Sequence, residues 1–488
     1  MDTVTKEISS IDIDNKTNSY IDKTSGIKAV DKIGYALGDF ACLMSFGLVT
    51  SILQTYYTDV LKIDPGWLMI LFTVARLWDA INDTIWGRII DKKKVGSKGR
   101  YRPWLVWMSI PLALSTILMF VKIPGLSVTG YFVFATVTYI VYGMLYTAVN
   151  IPYGSLASVI TTNEKERSSL SVFRSIGAGV GGLPAIFLAS FCMVTIMVNG
   201  QEASAISYPR LIIGVSIMAV LSVVAFYFSY RWTKERVITA PPAIRPKGDT
   251  ARIIKSLFKS KPFLVICIAS MLMIAGQMFM QSYYVYLFKN YFNAPNLYFL
   301  VTVATYAPMI IFIFFAHKII AIFGKKEVCA IGMLIAGIAN LILFFIKTDN
   351  PYVFLVLCLF TGLGTALFLL QVWALVTDSI DYNEVKTGAR EDATSYAIYS
   401  FTRKLGHTVA ALLANAALIW IAYDKDSPIQ SSETLTKMYD LSVLIPAVMF
   451  LLMFFALWFF YPLNKRRLAE LQKEKEEILK KHFENMDK

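Results

Sequence analysis

The stretch Ala75–Lys94, ARLWDAINDTIWGRIIDKKK, decides how this chain is read. Its first half is apolar enough for lipid, yet it holds Asp79 and Asp83 with Asn82 between them. Residues four apart in a helix share a face, about one turn apart, so both carboxylates look the same way. A charge near the middle of a membrane helix costs roughly 2.5–3.5 kcal/mol on insertion scales. Acids kept there point to a function. The structural alternative is that they pair with Arg174 or Lys404. The same stretch ends in three consecutive lysines, the mark of a cytoplasmic helix end.

Working outward, the pattern repeats. The 488 residues are 56% hydrophobic and 17% charged, with mean hydropathy +0.55. Apolar runs of about 20 residues recur along the whole length, which predicts an all-α, multi-pass membrane protein rather than a barrel. Twelve spans are expected, starting near Tyr35, Gly66, Pro103, Gly130, Ser169, Arg210, Pro262, Leu297, Glu327, Val353, Ala393 and Leu441. Asp91–Arg102 holds six basic residues and Arg231–Lys261 holds nine, whereas most of the alternate loops hold one or none. That alternation puts both termini in the cytoplasm and accounts for the net charge of +13 without nucleic acid.

The expected layout is a cytoplasmic tail over 1–32, six helices over 33–231 and a cytoplasmic linker over 232–261. A second set of six follows over 262–463, then a tail over 464–488. Residues 1–32 have no apolar core and no cleavage site, so they are not a signal peptide. The linker contains APPAIRPKGD, whose prolines and glycine break helices, followed by a short amphipathic helix at Thr250–Ser260. Two six-helix lobes with a basic linker are the plan of a secondary transporter, with its substrate near the bilayer midplane. The five cysteines lie in apolar runs and read as small core residues. Tyr56 and Tyr57 read as interfacial anchors.

Polar residues inside apolar helices are the candidate site. Asp79, Asn82 and Asp83 offer hard oxygen ligands for a small alkali cation; alternatively one carboxylate carries a proton. Asp39 is embedded early in span 1. Tyr142, Tyr146 and Asn150 fall at i, i+4 and i+8 of span 4, with Thr147 adjacent. Arg174 lies in span 5. Gln277, Gln281 and Tyr284 share a face in span 7. In span 11, Tyr396, Ser400 and Lys404 share one face and Tyr399, Arg403 and His407 the next. Tyrosines, amides and a few charges suit a sugar, whose hydroxyls donate and accept and whose ring stacks on aromatics. With three histidines and none paired at ligand spacing, no zinc site can be drawn. No phosphate-cradling glycine loop is present and no cofactor is expected. No nucleophile–base pair marks an enzyme.

Charges at the cytoplasmic ends form a second group. Gly87, Asp91, Lys92 and Arg100 follow span 2. Asp378, Asp381 and Arg390 lie in DSIDYNEVKTGARED between spans 10 and 11. Both groups read as gates whose salt bridges join in one conformation and part in the other, with Gly87 allowing a close helix approach.

These motifs together resemble the glycoside–pentoside–hexuronide:cation symporter family of the major facilitator superfamily. The carriers are GYALGDF, YYTDVL, ARLWDAIND, GRYRPW, VNIPYGSLAS, DSIDYNEVKTGAR and SFTRKLG, spanning Ile33 to Leu463. The resemblance implies the major facilitator fold, a cation site at Asp79, Asn82, Asp83 and Thr147, and sugar recognition or charge balance by Arg174 and Lys404. Asp39, Tyr146, Asn150, Gln277 and Gln281 complete the expected sugar site. The coupling ion is sodium or a proton; a bound sodium would be the only metal. The melibiose carriers have acids where this chain has Leu43 and Asn150, and a tryptophan where it has Gly154. Losing two core acids shifts the cavity toward positive, which suits an anionic sugar, and VNIPYGSLA, SFTRK and FYPL look more like the glucuronide carriers. The expectation is a monomeric bacterial carrier in the plasma membrane, importing a glycoside, pentoside or hexuronide. The alternatives are a carrier of an amphipathic lipid or drug and a sugar sensor that does not transport.

Overall fold

The computed structural model describes residues 27–92, 98–161, 164–198, 200–236, 256–387, 392–471 and 473–474. The first half contains α1 (Ala29–Leu48), α2 (Pro65–Lys92), α3 (Arg102–Trp107), α4 (Ser109–Met119), α5 (Val128–Ile160), α6 (Glu164–Phe191) and α7 (Tyr208–Trp232). The second contains α8 (Lys261–Tyr286), α9 (Tyr298–Phe323), α10 (Lys325–Ile346), α11 (Pro351–Leu369), α12 (Val372–Thr387), α13 (Asp392–Trp420) and α14 (Ser432–Phe455). Among the described residues, nine helical segments are both long and apolar enough to cross a membrane.

One pair of strands was not foreseen. β1 (Met193–Val198) pairs antiparallel with β2 (Gln201–Ile206), where only a loop near Asn199 was expected. The signal was legible: Asn-Gly between two short runs favours a two-residue hairpin turn, and Gly200 takes φ +81°.

The residues form two compact units. One comprises Met1–Tyr57, Leu77–Cys192 and Ser207–Ile244. The other comprises Thr58–Arg76, Met193–Ile206 and Arg245–Lys488. The division falls within α2, between Arg76 and Leu77.

In the first unit, α1 and α6 meet backbone to backbone. A Cβ on Gly177 would lie 2.1 Å from the Ala36 carbonyl oxygen, and one on Gly181 would lie 2.5 Å from that of Phe40. Four-residue spacing of small residues is how membrane helices approach closely, since lipid supplies no hydrophobic drive between them. In the second unit, Gly332 of α10 and Gly364 of α11 make the equivalent contact. Helix starts carry their own caps: Ser127 accepts from the Gly130 N–H, Asn350 from Tyr352 and Ser431 from Thr434.

Polarity is inverted relative to a water-soluble protein. Leu114, Val220, Phe345 and Trp420 stand 61–77% exposed, an apolar exterior suited to lipid. The interior holds hydrogen-bonded polar groups, such as Ser45 on Thr116 at 2.8 Å and Asn340 on Thr361 at 2.9 Å. Tyr56 and Tyr57 correct an expectation. Both are fully buried, and Tyr56 packs against Phe120 and Tyr208, so they are core residues rather than interfacial anchors.

Candidate functional site

The first unit brings three of the expected cation ligands, Asp79, Asp83 and Thr147, to neighbouring turns of α5. The Thr147 hydroxyl of α5 donates to Asp83 Oδ1 at 3.1 Å. One turn earlier on α5, a Cβ on Gly143 would fall 2.8 Å from Asp79 Oδ1. Glycine there leaves room for the Asp79 carboxylate, so both acids of α2 face the same side of α5. Asn82 is buried, and its Nδ2 finds no hydrogen-bond partner among the described residues. Two carboxylates, an amide and a hydroxyl form a set a small cation satisfies through oxygen. Gly143 was missed by sequence reasoning, because absence of a side chain carries no local signal.

A second cluster lies on α1, α5 and α6. Arg174 Nε donates to Asp39 Oδ2 at 3.3 Å, with the arginine side chain 40% exposed and the aspartate 10%. The guanidinium also sits over the Tyr153 ring at 5.3 Å. Tyr153 stacks on Tyr35 at 4.9 Å and donates its hydroxyl proton to the Tyr35 carbonyl at 2.8 Å. Asp39 thus offsets the charge of Arg174. Tyr146 stacks on Phe46 at 5.6 Å and on Tyr142 at 5.9 Å. Tyr142 is buried and accepts a bond from Ser45, a packing role; Tyr146 and Asn150 stay half-buried.

In the second unit, Gln277 is buried and its Nε2 donates to the Tyr306 hydroxyl at 3.2 Å. Gln281 and Lys404 are half-buried. Tyr284 is fully buried against Phe354, so it leaves the expected polar face. Around Lys404 gather three more bases: His407 lies within electrostatic reach of Arg76, Arg403 and Lys404. Arg403 sits over the Trp373 ring at 5.7 Å, and Trp373 meets Tyr399 edge-on. Arg76 had been passed over inside the quoted ARLWD motif. It sits one turn before Asp79 but belongs to the other unit.

The gating residues are placed unevenly. The side chains of Asp91 and Lys92, and all of Arg390, lie outside the described residues. A Cβ on Gly87 would meet nothing within 4 Å, so Gly87 makes no close approach among the described residues, contrary to expectation. Arg100 is buried and donates through Nε to the Ile90 carbonyl at 3.2 Å, closing on its own helix end. Glu235, which sequence reasoning missed, accepts from the backbone N–H groups of Arg100, Tyr101 and Arg102, each at 2.8 Å. A carboxylate on three converging N–H groups at a helix start is a strong local tie. Asp378 takes Lys325 Nζ on both oxygens at 2.8 Å, and Asp381 is half-buried nearby on α12.

A family model described as MFS/sugar transport protein matches residues 34–465. Over 448 residues the chain is 34% identical to an uncharacterized symporter, YjmB, of Bacillus subtilis, covering 90% of this chain and 94% of that one. A putative sulfoquinovose importer of Salmonella typhimurium is 29% identical, covering 91% and 92%. A putative glycoside/cation symporter, YagG, of Escherichia coli is 28% identical, covering 91% and 94%. Among solved structures, a D-xylose-proton symporter aligns with TM-score 0.62 at 15% identity, covering 89% of this chain and 98% of that one.

Proposed function

The chain belongs to the MFS/sugar transport protein family, and from that premise we propose that it imports an acidic sugar by symport with a sodium ion or a proton. The observation that carries this reading is the convergence of Asp79 and Asp83 on Gly143 and Thr147 of α5. Two carboxylates on one face can hold a cation or a proton between their oxygens. Its arrival draws α2 and α5 together and settles the neighbouring sugar site.

Coupling is then reciprocal: each ligand raises the affinity for the other by the same factor. A tenfold factor corresponds to about 1.4 kcal/mol. The sugar ring lies against Tyr146, and Asn150 takes one of its hydroxyls. Its acidic group is drawn by Arg174, whose 40% exposed side chain can exchange Asp39 for substrate. The likeness to a sulfoquinovose importer supports the acidic class, since a sulfonate and a carboxylate carry the same charge. The loaded carrier rocks between inward and outward access. At the cytoplasmic end, the Lys325–Asp378 pair breaks and rejoins. The carrier works as a monomer in the plasma membrane with both termini cytoplasmic.

The test is uptake by vesicles containing the purified protein, offered a glucuronide, a xyloside, a β-glucoside and an α-galactoside. Accumulation of the glucuronide alone is the expected result. Preference for a neutral sugar removes the acidic assignment.

A further inference from the structure

We propose that the buried Asp59–Lys289 ion pair is the latch of the carrier's non-cytoplasmic entrance, joined here and parted when solute enters. The proposal rests on the alternating-access reading above. All its residues lie within the second compact unit.

The pair joins two turns of the same kind. α1 opens the first set of six helices and α8 the second. The chain following α1 includes a five-residue π-helical turn, Tyr56–Val60, and α8 runs directly into another, Leu287–Tyr291. Asp59 lies in one and Lys289 in the other. π-Helical turns are rare and are found frequently at functional sites.

The side chains of Lys289 and Asp59 are 4% and 9% exposed. Every Asp59 oxygen has a partner. Oδ2 takes Lys289 Nζ. Oδ1 accepts the Thr58 hydroxyl at 2.8 Å and the Tyr423 hydroxyl at 3.1 Å. The Thr58 proton is thereby spent, so in its 2.8 Å contact with Tyr286 the tyrosine is the donor. Tyr286 and Tyr423 meet edge-on at 5.3 Å. Lys62 then ties the following loop to the Lys425 carbonyl. A short segment that precedes α2 is thus gripped by the end of α8 and by the loop after α13.

This chemistry suits a switch better than a brace. Burying two ions costs much of what their attraction returns, and well-packed apolar residues hold a permanent contact as well or better. When water enters, both ions rehydrate together. The joined and parted states therefore lie close in free energy. The gripped segment leads in sequence into α2, whose later turns carry Asp79 and Asp83.

The test uses the full chain in lipid nanodiscs, with its native cysteines replaced and Tyr283→Cys added. Tyr283 is fully buried and packs beside Tyr286. The rate of labelling by a water-soluble maleimide reports opening. Lys289→Met leaves Asp59 charged and buried, and should speed labelling about tenfold. Asp59→Asn with Lys289→Met removes both charges, and labelling should fall about tenfold below the starting rate. Sugar exchange by that double variant, without Tyr283→Cys, should fall about tenfold, because the entrance now stays shut. Labelling that is no faster in Lys289→Met, or wild-type exchange in the double variant, overturns the latch. If the symport reading is what fails, the unmutated protein moves no sugar while the labelling pattern still appears.

Discussion

Two acid–base pairs of this protein look alike in sequence and differ in physics. Asp39–Arg174 is monodentate, and its guanidinium is 40% exposed and leans on a tyrosine ring. Asp59–Lys289 is sealed, with every carboxylate oxygen occupied. A cation that keeps an open side can trade its carboxylate for a substrate's. A cation sealed against its partner either stays or leaves whole. On the proposed reading, the difference suits the first pair to binding and the second to gating.

Stability offers the widest contrast. Asp59→Asn strands a buried ammonium, Lys289 at 4% exposure, and should lower stability by about 3 kcal/mol. Asp39→Asn should cost under about 1 kcal/mol, because the Arg174 side chain it leaves is 40% exposed. Thermal unfolding of the purified variants measures both, and equal losses would break the comparison.

Sugar affinity should respond the other way. Arg174→Lys keeps the charge but loses the planar fork and the ring contact, and should weaken sugar binding about tenfold. Asp39→Asn removes the competing carboxylate. It should tighten an acidic sugar by about threefold while leaving a neutral sugar unchanged or weaker. Calorimetric titration of both sugars reads the sign, and tightening of the neutral sugar alone would reverse the assignment.

Smaller effects belong to the ties at helix ends. Glu235→Ala frees three N–H groups at the start of α3 and should cost about 1 kcal/mol, seen as a lower unfolding midpoint. Glu166 is held below the usual carboxylate range by the Thr161 hydroxyl and then by the Ile27 N–H. Its folded pKa lies below the unfolded one, so its contribution is complete above the unfolded value and fades as pH falls through the folded value. Hydrogen exchange at Ile27, corrected for the intrinsic rate, should quicken only in that acid window.

Much of this was legible beforehand. Apolar runs and the alternation of basic loops located the helices, because lipid punishes unsatisfied backbone and misplaced charge along the chain itself. Asp79, Asn82, Asp83 and Thr147 stood out for the same reason. Partnerships were harder. Nothing local tells that Arg174 faces Asp39, that Gly143 makes room for Asp79, or that Glu235 reaches back to α3. Each needs the packing of helices far apart in sequence. Asp59 and Lys289 were hidden for another reason: each sits at a helix end, where a charge is ordinary, and only their joint burial makes them unusual.

The most direct measurement is sugar accumulation by vesicles under an imposed sodium or proton gradient, with the unmutated protein and with Asp83→Ala. The account predicts uphill accumulation driven by one of the two ions, abolished in Asp83→Ala while sugar exchange without a gradient persists. Undiminished gradient-driven accumulation in Asp83→Ala would contradict it.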